Sequence, residues 1–327
     1  MADHRVGRKV LMLASLGLAI VGAIPGTARA EYPDRPIKVV VPFSPGGGTD
    51  LIARTLAKPM AEKLGQSIVV ENRAGAGTII GSDVVARSQP DGYTLLIATL
   101  AHSVNPSLHA KLPYDTDKAF APVTLIGTYQ NILVVKPDSP FKTVEDVIKA
   151  AKANPGKYTY ASQGIGTSAH LAGELLNNLA HIELTHIPYK GAGPALTDVL
   201  GGQVDMMFAS SAAVSGFIAS KSLRPIAVTG AKGQTQVPGV PSVEETVPGY
   251  VFDSWYGLYV PAKTPKPVID KLLEAVKFAA QDPDFLKRAQ DEGLLLRVGT
   301  PDELDAYVKA DTVRWRKVVT ENKIKPE

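Results

Sequence analysis

Two stretches of this sequence place glycine, serine and threonine where a strand turns into a helix. The first, 44–50, reads SPGGGTD, and the second, 162–170, reads SQGIGTSAH. Such residues carry no strong acid or base into the turn; what they expose is backbone. A helix start presents several N–H groups without an intrahelical acceptor, together with the positive end of the helix dipole. Glycine lets a ligand approach that backbone closely, and serine or threonine hydroxyls add donors. A turn of this kind binds a carboxylate or phosphate without a formal positive charge. Either turn alone reads equally well as an ordinary strand-to-helix connection. Their recurrence in both halves of the chain points to a shared anion site, each turn holding one end of a small ligand across a cleft.

Other chemistries find less support. Gly75, Gly77 and Gly81 give G-x-G-x-x-x-G after the second strand, not the G-x-G-x-x-G that follows the first strand of a dinucleotide fold. There is no Walker sequence, no G-x-S-x-G elbow and no H-E-x-x-H. His170 and Glu174 lie one helical turn apart, which fits a metal pair or, alternatively, a polar residue at a helix start and a surface glutamate. With no cysteine, and six histidines scattered along the chain, neither a metal site nor a cofactor is expected. No serine has a recognisable base nearby in sequence. Lys190 either faces the ligand or is solvated, and Trp255 and Tyr256 either line the cleft or pack in the core.

The elements that must position the two turns follow from periodicity. Residues 37–43 (IKVVVPF) form a β-branched run, read as a buried strand. Thr49 or Asp50 is placed to cap the following helix. In it Ile52, Leu56, Met60 and Leu64 share one face, Pro59 predicts a kink and Gly65 a stop. Strands follow at 67–71 and 93–98, then at 132–137, 157–161, 183–189, 203–209 and 223–229. Thr143 and Asp146 predict a capping box at helix 143–153, and Leu171, Leu175 and Leu179 share a helix face after the second turn. A Pro-rich connection, 237–250, leads to a strand at 255–260 and two closing helices, about 265–281 and 301–320. Alternating strands and helices predict two α/β lobes, each a mostly parallel sheet flanked by helices. The expected division is 31–129 plus 250–327 for one lobe and 130–249 for the other.

The first residues set the compartment. Arg5, Arg8 and Lys9 precede an uncharged apolar run, 10–24, then Pro25, Gly26 and Ala28-Arg29-Ala30. That pattern predicts a signal peptide, residues 1–30, cleaved after Ala30. The run is shorter than the roughly 20 apolar residues that span a bilayer. Without a cysteine to carry a lipid, the mature chain is expected to be free in the periplasm. The whole chain has 35 basic and 32 acidic residues. The predicted cleavage removes four of the first and one of the second, leaving 31 of each, a balance that argues against nucleic acid as a partner.

Several segments, in order, carry a family resemblance. They are YPDRPIKVVVPFSPGGGTD (32–50), VENRAGAGTIIGSDVVARSQPDGYTLL (70–96), NPSLHAKLPYD (105–115), YASQGIGTSAHLAGEL (160–175), IPYKGAGPALTDVLGGQVDMMF (187–208), LRPIAVTG (223–230), VPSVEE (240–245) and WYGLYVPAKTP (255–265). With these the chain resembles the Bug-type receptors, periplasmic solute-binding proteins of tripartite tricarboxylate transport systems. The resemblance implies a two-lobed Venus-flytrap fold of the type II kind that closes on one small carboxylate: a di- or tricarboxylate, an acidic amino acid or an aromatic acid such as nicotinate. It implies ligand contacts from Phe43, Ser44, Gly47, Gly48 and Asp50 on the first turn, Asp50 by capping or through water. From the second turn it implies Ser162, Gly166, Thr167, Ser168 and His170, and from the end of the third strand Thr99 and His102. Two departures bear on ligand choice: Thr78 stands where the family often has a third glycine, and Leu100-Ala101-His102 replaces a frequent T-H-A.

The expected protein is thus a monomeric, non-enzymatic receptor working with separately encoded membrane subunits. A ligand-presenting role toward a sensor kinase is the near alternative. A secreted enzyme on the same fold is the distant one, since fold does not dictate function.

Overall fold

The computed structural model describes residues 31–234, 237–291, 293–321 and 324. The predicted signal peptide, 1–30, lies outside them. The strands are β1 (Ile37–Val41), β2 (Ile68–Asn72), β3 (Thr94–Thr99), β4 (Phe120–Tyr129), β5 (Asn131–Val135), β6 (Thr159–Ser162), β7 (Thr185–Pro188), β8 (Met206–Ser210), β9 (Arg224–Val228), β10 (Ser254–Pro261) and β11 (Leu294–Leu296). The helices are α1 (Gly48–Leu64), α2 (Ile79–Ala86), α3 (Ala101–Leu108), α4 (Val144–Ala153), α5 (Ser168–Ala180), α6 (Ala192–Gly201), α7 (Ser211–Ala219), α8 (Lys266–Ala279), α9 (Pro283–Asp291) and α10 (Pro301–Glu321).

The strands form two sheets, ordered β11-β4-β10-β3-β1-β2 and β7-β6-β8-β5-β9. Both are mixed, where the sequence reading expected them mostly parallel. The triplets β2-β1-β3 and β7-β6-β8 are parallel, while β10 and β5 run antiparallel to both their neighbours. The reason lies in where the chain changes sheets. Only Gln130 separates β4 from β5, and Asn131 at the start of β5 pairs with Ser210 at the end of β8. A strand that enters its sheet at the end where the parallel strands finish must run against them. The return through β10 repeats this, with Tyr256 opposite Thr99 at the end of β3. Parallel neighbours need a long crossover, which the helices supply within each sheet; a one-residue crossing cannot.

Local sequence explains the helices that matter. On α1, Ile52, Leu56 and Met60 are fully buried against β1 and β3 side chains such as Val39 and Ile97. Each such side chain contributes roughly 1.5–3 kcal/mol by leaving water. Pro59 sits inside the helix, and Gly65 ends it in the left-handed conformation, φ 67°. On α4, Thr143 accepts the Asp146 N–H and Asp146 reciprocates, completing the capping box.

Candidate functional site

The first turn leaves β1 and enters α1, whose N-cap is Gly47. No side chain caps that helix, so its first N–H groups stay available. Asp50 works from below. Its carboxylate accepts the Gly46 N–H at 3.0 Å and Nδ2 of Asn72 at 2.9 Å, and it pairs with Arg54 at 3.0 Å. Asn72 also donates to the Phe43 carbonyl at 3.0 Å, tying both ends of the turn to β2. Burial alone pushes the Asp50 carboxyl upward. Arg54, the Gly46 N–H and Asn72 outweigh that and hold it below its ordinary value, so it stays charged at neutral pH.

The second turn leaves β6 and enters α5, whose N-cap, Thr167, likewise makes no side-chain cap. Its hydroxyl instead donates to the Gly164 carbonyl at 2.6 Å. Ser162 Oγ accepts the Gly164 N–H at 3.0 Å and lies 2.6 Å from His186 Nε2. His170 Nδ1 accepts the Gly166 N–H at 3.1 Å. Here the turn is braced by neutral rings. Burial drops His170 to about 3, helped by the neighbouring His186, and drops His186 to about 4.

The two turns face one another across a narrow cleft lined by Phe43, Gly47, Gly48, Thr49, Thr99, Tyr129, Gln163, Thr167, Ser168, Ala192, Ser210 and Tyr256. Four helix starts meet there, because Ala192 opens α6 and Ser210 is the N-cap of α7, and neither of those helices has a side-chain cap. None of the lining residues is a lysine or arginine. The floor is aromatic, with Tyr129 and Tyr256 stacked 4.5 Å apart. Burial raises the Tyr129 phenol, and the hydroxyls of Ser254, Ser168 and Tyr256 beside it pull the other way.

Main chain and short side chains both make the contacts across the cleft. Ser44 gives both its N–H and its hydroxyl to the Lys190 carbonyl, each at 3.0 Å. A Cβ on Gly47 would stand 3.3 Å from Cβ of Ala192, and one on Gly77 would run into the Ile165 carbonyl. A Cβ on Gly48 would collide with Ser210 Oγ and stand 3.0 Å from Ala212 and from the Tyr256 hydroxyl. Gly166, at φ +76°, leaves no room either: Asn105 and Leu108 would be 2.9 Å away.

The expected site residues therefore divide. Phe43, Gly47, Gly48, Thr99, Thr167 and Ser168 line the cleft. Ser44 bridges to Lys190, whose side chain is exposed. Asp50, Ser162, Gly166 and His170 lie behind the lining and shape it. His102 is not brought to the cleft. Helix α3 begins at Ala101 and turns His102 against Phe120 and Tyr259, where it lines a separate hollow with Asp117 and Asp305 and burial lowers it to about 4. Glu174 accepts the Tyr160 hydroxyl at 2.7 Å. On β10 the side chains alternate: Tyr256 faces the cleft, while Trp255 is buried and donates to Asp311 at 2.9 Å. Thr78, in the glycine position of the resemblance, holds φ 82°, costly for a β-branched residue, and accepts from Asn105 at 3.2 Å.

Sequence reasoning missed Tyr129, Gln163, Ala192 and Ser210. Ala192 and Ser210 had a signal, since each begins a helix after a strand, as the two singled-out turns do. Tyr129 had none, because β4 itself was not read.

Comparison with known proteins shows the family and the fold. Residues 52–324 match the model of the tripartite tricarboxylate transporter family receptor. Protein BugT of Bordetella pertussis is 34% identical over 316 residues, covering 96% of this chain and 97% of that one. The solved periplasmic binding protein BugD gives a TM-score of 0.87 at 35% identity, over 90% of this chain and 100% of its own. MatC of Rhodopseudomonas palustris, solved with bound malate, gives 0.84 at 33% identity, over 88% and 100%.

Proposed function

The chain belongs to the tripartite tricarboxylate transporter receptor family, and from that premise we propose that it captures one small dicarboxylate between the turns 44–50 and 162–170. The observation that carries the reading is the meeting of four uncapped helix starts on a cleft without a lining cation. Neutral N–H groups and hydroxyls hold a carboxylate through oriented dipoles. MatC, a relative, is solved with bound malate, which carries two carboxylates.

Binding favours the closed arrangement because the ligand touches both sides, and only such differential contact shifts a population. The lobes are 31–129 plus 250–327 and 130–249, turning about Gln130 and the start of β10. Residues 1–30 direct export and are removed after Ala30. Separately encoded membrane subunits take the ligand on, with no turnover on the receptor. Among the described residues no helix is long and apolar enough to cross a membrane.

The test is a thermal-shift and calorimetric screen of chain 31–327, stripped of ligand by unfolding and refolding. The panel is malate, succinate, adipate, citrate, glutamate and nicotinate. A ligand selective for the folded protein raises Tm by mass action. A dicarboxylate shift with unchanged ligand recovered afterwards supports the proposal. A shift from a monocarboxylate alone, or a converted ligand, defeats it.

A further inference from the structure

Beneath the second turn two histidines touch that no spacing in the sequence connects. His170, on α5, and His186, on β7, have ring centroids 4.4 Å apart. Both are almost wholly buried. Each grips a different part of the same turn, His170 through the Gly166 N–H and His186 through Ser162 Oγ. Neither lines the cleft. Tyr160 closes the cluster on the other side, stacked 4.9 Å from His186, with its hydroxyl donating to Glu174. Tyr160 is a titratable group that faces the pair, and Glu174 reaches it through the Tyr160 hydroxyl.

We infer that His170 and His186 are positioning residues of the ligand site, a touching imidazole pair, its rings tilted 35° to one another, that holds the turn 162–168 in the shape that receives a carboxylate. This rests on the proposed anion-binding role of that turn. The physical case begins with Gly166. Its left-handed backbone turns its N–H back into the protein, away from any ligand, so that donor needs an internal acceptor. His170 Nδ1 is that acceptor, which requires a ring unprotonated at Nδ1. Ser162 completes the support: its hydroxyl holds the Gly164 N–H, and Gly164 in turn accepts from Thr167 through both N–H and hydroxyl. Thr167 and Ser168 lie next along the chain and line the cleft. Loss of either imidazole contact therefore moves the helix start that faces the ligand, without removing any atom that touches it.

The geometry distinguishes this role from core packing, because polar isosteres exist. Asparagine places its amide oxygen near the position of Nδ1, and glutamine reaches the position of Nε2. The experiment compares His170→Asn with His170→Leu, and His186→Gln with His186→Leu, in chain 31–327. Affinity is measured for whichever of malate, succinate or adipate binds wild type, and amide hydrogen exchange at Gly164 and Gly166 is followed without ligand. Each leucine variant is expected to weaken binding about tenfold or more, the effect of leaving a buried donor unsatisfied. It should also speed exchange at the matching glycine, while Gly47 and Gly48 keep their wild-type rates. The asparagine and glutamine variants should recover most of both. Equal behaviour of leucine and polar variants, or folded leucine variants with wild-type exchange and affinity, would overturn the inference. Should no acid in the panel bind wild type, the ligand reading falls while the exchange pattern still decides the positioning role.

Discussion

The two turns proposed to hold the ligand both open helices without a side-chain cap and are built on opposite chemistry. Behind 44–50 stands a charged network in which Asp50 gathers Gly46, Asn72 and Arg54. Behind 162–168 stand uncharged rings, His170 and His186, with Ser162. A carboxylate that accepts N–H groups is strengthened by its charge, whereas an imidazole accepts only while it is neutral at that nitrogen. The difference teaches that an uncapped helix start is a common solution with no common scaffold, and that the two halves of one cleft must respond differently to mutation and to acid.

The sharpest break in the comparison is Gly48→Leu. The side chain would strike Ser210, Ala212 and Tyr256, so affinity should fall by about a hundredfold, the scale on which overpacking a tight contact acts. The melting transition should move little, because Ser210 and Ala212 lie on the side proposed to move away on opening, and Tyr256 would be met only through its hydroxyl. Calorimetry with a parallel thermal melt checks this, and wild-type affinity would refute it. Next is Asp50→Asn, which keeps the shape and removes the charge. A loss of about 2 kcal/mol in urea unfolding is expected, the scale of hydrogen bonds to a buried charged group; a stability unchanged within error would remove Asp50 from the first scaffold.

Acid separates the scaffolds without mutation. The unfolded chain protonates its histidines near 6.5, but His170 stays neutral in the fold down to about 3 and His186 to about 4. Their contribution is complete above 6.5 and drains away as pH falls from there toward 3–4. The Asp50 carboxyl is lowered from 3.8, so its contribution persists until pH drops below that value. Between pH 6 and pH 4 the folding stability contributed by the second turn's histidines falls, as does that of the buried His102, while that of Asp50 is kept. A doubly substituted His170→Asn, His186→Gln protein should therefore lose less Tm over that window than wild type, and matching slopes would contradict the assignment. The smallest effect expected is that of Ser44→Ala. Its N–H still reaches the Lys190 carbonyl, so the missing hydroxyl should cost only about two- to threefold in affinity.

Much of this was legible from residue order. The β-branched runs and the periodicity of Ile52, Leu56 and Met60 placed β1 and α1, and Thr143 with Asp146 placed the start of α4, because these features depend on neighbours within a turn or two. The glycines marked both strand-to-helix turns for the same reason. What was hidden depends on partners far along the chain. β4 carries Pro122 and Gly127, and its pairing with β10 shifts register twice, so its alternation is blurred. Helix α3 holds Pro106 and took His102 away from the site by rotating it. The meeting of His170 with His186 needs β6 and β7 to be neighbours, which no local pattern states. Trp255 and Tyr256 could not be ranked until a strand register assigned each to a face.

Some of the contacts across the cleft are made by main chain: the Ser44 N–H to the Lys190 carbonyl, and Gly77 against the Ile165 carbonyl. Main chain is the part of a protein that most substitutions leave unaltered. A receptor whose jaws meet on peptide groups can exchange the side chains that choose its cargo while the bite itself is inherited unchanged. Ligand preference and the mechanics of capture then become separate heritable traits. Gene duplication can multiply the first without having to reinvent the second.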